Sequence, residues 1–318
     1  MRKVLLLYNP LSGRRLNQRL ADVETVSKIF QSTGANVSAS RTGSSSEAAR
    51  QAREAITNGF DTIFACGGDG TIHDVMQGVV GTDAVLGIIP LGTANALAHD
   101  LNIPRSALKA AHIALHGKPR RFAVGKVEYQ DFSGNRSSRY FTVAAGIGVD
   151  AHLFYNLNPD FKKRHGMAAY YAKAWHLWAT HSMPFFNVAW NDAAGQPRKE
   201  AATELLAVRI ANFGGLLRSL APGASLNRPD LRLLLCKTAR RLSYLHYVFQ
   251  GLYRSGRNVR DVELAYASEL SCSQLSAADP NQTIYIEADG ELLGILPATI
   301  TMVPDAFNLL VPAGWKSS

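Results

Sequence analysis

The 318-residue sequence is poor in cysteine and has no long apolar run. Its three cysteines, Cys66, Cys236 and Cys272, are odd in number and far apart. That excludes a disulfide framework, and the absence of any CxxC pair argues against structural zinc. No stretch approaches the roughly 18 apolar residues of a membrane-spanning helix. The opening MRKVLLLYNP has an apolar run of only Val4–Leu7, with no small-residue cleavage site close behind. It reads as a buried strand rather than a signal peptide. The GxGxxG dinucleotide fingerprint and the P-loop lysine are also missing, and neither internal repeats nor low-complexity segments occur. Charged residues are sparse at 19%, while 47% of the chain is hydrophobic, enough for one large domain or two medium ones. The formal net charge of +9 suits an anionic membrane or an anionic small molecule. Nucleic acid is not expected, because the basic residues are scattered and no base-reading motif is present. A cytoplasmic protein is expected.

What the chain does contain changes character near residue 118. Before it, strand and helix signals alternate: Val4–Tyr8, Leu16–Ser32, Asn36–Ser40, Ser44–Asn58, Asp61–Cys66, Ile72–Val80, Ala84–Pro90, Thr93–Asp100 and Ser106–His116. This rhythm predicts a doubly wound α/β domain with a largely parallel sheet, and such sheets bind ligands at the carboxyl ends of their strands. Beyond it, strand signals dominate: Arg121–Tyr129, Arg139–Ala145, Phe185–Asn191, Glu204–Ile210, Asp230–Cys236, Arg260–Ala267, Thr283–Glu287 and Glu291–Val303. These predict a mostly antiparallel, sandwich-like second domain. Two helical stretches, His165–Ala179 and Leu242–Ser255, interrupt it. The expected division is 1–118 for the first domain, completed by 304–318, and 119–303 for the second.

Three strand ends in the first domain carry small polar loops. Asp61–Cys66 runs into Gly67-Gly68-Asp69-Gly70-Thr71, where the glycines permit a tight turn and close approach of backbone N–H groups to an oxyanion. A helix follows, so its unpaired N–H groups and positive end face the same place. One strand later, Pro90 leads into Leu91-Gly92-Thr93-Ala94-Asn95, with Thr93 able to cap a helix or meet a phosphate. The first strand ends in Asn9-Pro10-Leu11-Ser12-Gly13. One glycine turn after a strand is common; three together predict a phosphate site.

These segments resemble the diacylglycerol kinase catalytic family, which includes sphingosine, ceramide and bacterial lipid kinases. Further matching stretches are Phe141–Gly148, Ala221-Pro-Gly-Ala224 and Ala288-Asp289-Gly290-Glu291, so the resemblance runs from about residue 3 to 312. It implies two domains with ATP in the cleft between them and transfer of the γ-phosphate to a lipid hydroxyl such as that of diacylglycerol. It also implies magnesium, with Asp69 among the nucleotide and metal contacts and Asp230 at an accessory metal site. Asp289 resembles the family's general base, with Glu291 orienting a partner. Taken alone, Asp289-Gly290 would be a plain hairpin turn. The partners implied are a lipid alcohol and the surface of an anionic membrane; a homodimer is also allowed.

The sequence departs from the family in places. His73 and Asp74 stand where Asn-Glu is common, and His99 replaces an arginine able to meet phosphate. Asn227 replaces a carboxylate of the accessory metal site, and Ala123 an acidic residue. Aromatics in Tyr170–Trp190, after Lys162–His165, and in Arg240–Arg257 could meet a bilayer or could simply be packed. Two other readings stay open: an NAD kinase-like enzyme with a soluble substrate, and a non-catalytic nucleotide- or lipid-binding protein.

Overall fold

The computed structural model describes residues 1–10, 18–149, 151, 179–180, 183–213, 220–243, 246–247, 259–275 and 282–316. The helical stretch expected over 165–179 lies almost wholly outside them, as does most of 242–255.

The first domain begins with β1 (Lys3–Tyr8), α1 (Arg19–Gln31), β2 (Asn36–Arg41), α2 (Ser45–Thr57), β3 (Thr62–Gly67), α3 (Asp69–Val79), β4 (Val85–Pro90), α4 (Ala96–Asp100) and α5 (Ala107–Leu115). The continuous apolar runs of β1, β3 and β4 are buried because helices cover both faces of the sheet. All pairings among β2, β1, β3 and β4 are parallel, in that spatial order. The chain therefore reverses its direction of travel across the sheet between β1 and β3, which opens a crevice at their carboxyl ends. The alanine stripe Ala48, Ala52 and Ala55 lets α2 lie close on α3, where a side chain at Gly78 would strike the Ala49 carbonyl. Ser44 caps α2 by accepting the Glu47 N–H at 3.3 Å, and Glu47 accepts the Gly43 N–H at 2.8 Å.

The second domain adds β5 (Lys118–Gln130), β6 (Arg136–Phe141), β7 (Ala144–Gly148), β8 (Phe186–Asn191), β9 (Pro197–Ala202), β10 (Glu204–Val208), β11 (Leu231–Cys236), β12 (Val262–Ala267), β13 (Glu269–Gln274), β14 (Tyr285–Ala288) and β15 (Glu291–Val311). These pair antiparallel among themselves around a separate apolar core. The fold class expected from the sequence is the one observed. The segment expected as one strand over Arg139–Ala145 is two, β6 and β7, parted at Thr142-Val143. β9 and β13 were not expected, since PRKEAA and ELSCSQ lack an apolar run. β15 continues through the expected break near residue 303. It pairs antiparallel with β5 and then parallel with β4, at Asn308–Val85 and Leu309–Leu86. Phe186 and Trp190, considered above for a membrane surface, belong to the second core.

Arg209 is buried, and among the described residues no carboxylate hydrogen-bonds to it. Its guanidinium donates to the carbonyls of Arg228, Asp230, Ala123 and Leu226 at 2.8 to 3.3 Å. Loss of solvent lowers its pKa to about 10, opposed by the charge of Asp230. Arg209→Met would strand four carbonyl acceptors, each costing ~1–3 kcal/mol if left dry. A clear drop in the urea midpoint is expected, and an unchanged midpoint would contradict this role for Arg209.

Candidate active site

The two glycine turns touch. The N–H groups of Leu91 and Gly92 donate to the Gly67 carbonyl at 2.8 and 3.2 Å. A methyl group on Gly92 would fall on the Gly68 Cα, so only glycine permits this approach. Asp69 ties the turns from the other side. Its carboxylate accepts the N–H groups of Asn95 at 2.7 Å and Ala96 at 2.6 Å, at the start of α4. Asn95 sits in the left-handed region (φ 58°). Its amide accepts from the Gly92 N–H and donates to the Gly92 carbonyl. Gly68 precedes α3 and offers no side-chain cap. Thr71 is buried against Gly67, and Thr93 is exposed. Asn9 lies at the same cleft and Pro10 follows it, whereas Ser12 and Gly13 lie outside the described residues.

Asp289 and Gly290 form a two-residue hairpin turn between β14 and β15, with φ of 51° and 84°. The Asp289 side chain is only 3% exposed. It accepts the backbone N–H groups of Thr142 (3.0 Å), Val143 (2.8 Å) and Ala144 (3.1 Å), the segment that parts β6 from β7. The Thr142 hydroxyl donates to Oδ2 at 3.4 Å, and His73 Nδ1 lies 3.3 Å from the same oxygen, where a protonated Nδ1 donates. Gln77, one turn further along α3, exchanges two hydrogen bonds with the backbone of Tyr140. The helix after the phosphate turn is thus fastened to the second domain.

Between the domains lies a cleft of about 310 Å³, with Asn9, Thr71 and Asp74 on one side and Arg139 and Glu291 on the other. Glu291 approaches the turn closely: a Cβ on Gly70 would lie 2.6 Å from its Oε1. The Glu291 carboxyl has solvent access at the cleft, yet the protein around it dominates. Desolvation raises its pKa, Asp74 adds to this, and His73 and Arg139 oppose it. Asp74 is also raised, chiefly by desolvation, against a hydrogen bond from Ser45 and the charges of His73 and Arg139. Asp69 is raised by burial in spite of its backbone donors, and the nearby Asp289 charge contributes.

Among the described residues no three His, Cys, Asp or Glu side chains converge as a metal site. Magnesium nonetheless needs only one or two protein carboxylates when phosphates complete its shell. Asp69 fits that requirement, since it is half-buried at the glycine turn and each carboxylate oxygen takes one backbone N–H, from Asn95 or Ala96, leaving lone pairs for a cation. Asp230 does not fit. Arg228 grips both of its oxygens, at 2.6 and 2.8 Å, and Arg120 donates to Asn227 at 3.2 Å. Guanidinium groups stand where an accessory cation was expected. His99 lies 3.3 Å from an Arg105 nitrogen. Sequence reasoning missed Thr42, Ser45 and Arg139 at the cleft. Hydroxyls at a helix start and an arginine in a hairpin carry no local signal of a site.

A parallel domain bearing two glycine turns, closed by an antiparallel domain with acidic groups at the junction, is the architecture of a nucleotide-dependent kinase. The family models make this specific. Residues 3–127 match the diacylglycerol kinase catalytic domain and residues 142–311 the YegS C-terminal NAD kinase beta sandwich-like domain. The chain belongs to the bacterial diacylglycerol/lipid kinase family. The diacylglycerol kinase of Bacillus subtilis is 28% identical over 98% of this chain and 97% of its own. That of Staphylococcus saprophyticus is 26% identical over 99% and 97%. A crystal structure of a diacylglycerol kinase from Bacillus anthracis superposes with a TM-score of 0.67 at 20% identity, covering 98% of this chain and 97% of that one. Yeast NADH kinase shares the fold at a TM-score of 0.50 and 13% identity, over 98% and 83%.

Gly92→Ala is expected to separate the two turns. Calorimetry should show a lowered melting temperature; an unchanged one would contradict the packing of Gly92 on Gly68.

Proposed function

We propose that the chain is an ATP-dependent lipid kinase that transfers the γ-phosphate to the hydroxyl of diacylglycerol or a related lipid alcohol. The observation carrying this reading is the approach of the Glu291 carboxylate to Gly70 of the phosphate turn, across the cleft between the domains. The relatives' described activity supports the lipid acceptor. The nucleotide phosphates would lie on Gly67–Thr71 and Gly92–Asn95, with Asn9 beside them at the cleft. Magnesium, arriving with the nucleotide, supplies charge neutralisation, and Asp69 is the residue that would hold it.

Phosphoryl transfer depends mainly on positioning and electrostatics. The acceptor oxygen forms a bond to the γ-phosphorus as the bond to the bridging oxygen breaks, and ADP leaves with that electron pair. The hydroxyl proton needs an acceptor. Asp289 is a poor candidate by geometry, because three backbone N–H groups and His73 occupy its oxygens. Glu291 has access to the cleft, and its raised pKa makes it a stronger proton acceptor than an ordinary glutamate. We assign proton acceptance to Glu291, and to Asp289 the positioning of α3 and of the 142–144 segment. The membrane would be met peripherally; among the described residues no helix is long and apolar enough to cross one.

Incubation with labelled ATP, magnesium, a panel of lipid alcohols and NAD tests the assignment. A labelled lipid phosphate is expected, and label found only in NAD would refute the lipid reading. Glu291→Gln should lower kcat by ~10²–10⁴-fold with nucleotide affinity kept. Asp289→Asn should lower the melting temperature as well as the rate. The base must be ionised, so activity should fall as pH drops through the raised Glu291 pKa. That acid limb should lie above the range of an ordinary glutamate and vanish from the residual rate of Glu291→Gln.

A further inference from the structure

The cleft contains one Arg or Lys side chain among the described residues that line it, Arg139. It stands on β6, a strand of the second domain, and is half-buried. Other arginines are plainly engaged: Arg209 with four carbonyls, Arg228 with Asp230, Arg50 with Glu54. Arg139 is close enough to Asp74 and Glu291 to oppose the rise of both carboxyl pKa values, yet forms an ion pair with neither. No hydrogen bond of its guanidinium occurs among the described residues. A half-buried guanidinium with unspent donors, held in a cleft whose opposite wall is a phosphate turn, is suited to an oxyanion. Residue 139 also falls between the segments matched by the two family models, 3–127 and 142–311. Neither model therefore supplies a role for it.

The β6 backbone gives this arginine a fixed base. Tyr140, its neighbour, is bonded to Gln77 of α3 through both backbone groups, at 2.9 and 3.0 Å. Thr142, two residues beyond Tyr140, is bonded to Asp289. Arg139 is thus carried on a segment fastened to the helix that starts at the phosphate turn, so the two walls keep their spacing.

We propose that Arg139 is a catalytic residue that grips the terminal phosphate of the bound nucleotide, the group in transfer, from the acceptor side of the cleft. The role rests on the kinase reading above. It supplies from the second domain a guanidinium that the first domain lacks at His99. It also sets a charge difference between ATP, which reaches Arg139, and ADP, which stops short of it.

The test is calorimetric titration of the full chain with magnesium–ATP and magnesium–ADP, for the unaltered protein, Arg139→Met and Arg139→Lys. Arg139→Met should weaken ATP by roughly 10- to 100-fold, the range of a charged hydrogen bond, and leave ADP within about twofold. Arg139→Lys should recover part of the ATP affinity and a smaller part of kcat, because a point charge cannot make the forked contact. Equal losses for both nucleotides, or no loss for either, would overturn the proposal. If Arg139 merely balances the two carboxylates, Arg139→Met will move the acid limb of the rate to higher pH and leave the ATP-to-ADP ratio unchanged. That outcome also overturns it. Failure of the unaltered protein to bind either nucleotide would instead overturn the kinase reading beneath it. Melting curves identify a variant that does not fold, and Arg139→Gln then takes the place of Arg139→Met.

Discussion

The carboxylate of Asp289 is the joint on which the cleft depends. It collects three successive backbone N–H groups where β6 gives way to β7, and a fourth contact from His73 on α3. A buried carboxylate is costly unless hydrogen-bonded, and here each oxygen has donors. The hairpin turn places this group, and its left-handed backbone is tolerable because aspartate accepts that conformation more readily than most residues. Since Glu291 is two residues along the same turn, fixing Asp289 also fixes the direction in which Glu291 enters the cleft.

The first domain uses the same device. Asp69 satisfies two N–H groups at the start of α4, while Asn95 braces its own loop through Gly92. Asp100, at the end of α4, accepts the N–H groups of Ala211 and Asn212 from the second domain, both at 3.0 Å. Burial raises its pKa against those two donors. Carboxylates bound to backbone N–H groups thus add direction to an inter-domain contact that is otherwise apolar, through Val143, Ala144, Val208 and Ile210. Hydrogen bonds of this kind are directional, and they hold the turns and the hairpin in register.

The alternation of strands and helices and the glycine turns were legible in the sequence because each is a local pattern. Three residues of apolar run, a glycine and a following helix are visible within a dozen positions. The burial and full hydrogen bonding of Asp289 were not, because they depend on the Thr142–Ala144 backbone, 145 to 147 positions away. An N–H group exposed by a strand break has no signature in the side chains around it. The break itself was invisible, since Phe141–Ala145 reads as continuous strand material. The exchange of a metal for arginine at Asp230 was half legible: Asn227 announced a lost charge, but the grip of Arg228 two residues before Asp230 required the turn geometry. The burial of His73, 2% exposed, has no local signal either, since its partner Asp289 lies 216 positions away.

The last long strand, β15, begins at the hairpin that carries Glu291 and ends beside β4, in the sheet of the first domain. On the ribosome, then, β4 has no neighbour on that side until residues 308 and 309 have been made. Phe307, Leu309 and Trp315, which belong to the first domain's apolar core, arrive late for the same reason. Synthesis cannot deliver a finished phosphate-binding half and then a finished second half. The two halves mature together, and a nascent chain stalled before residue 308 would hold both glycine turns on an unfinished sheet.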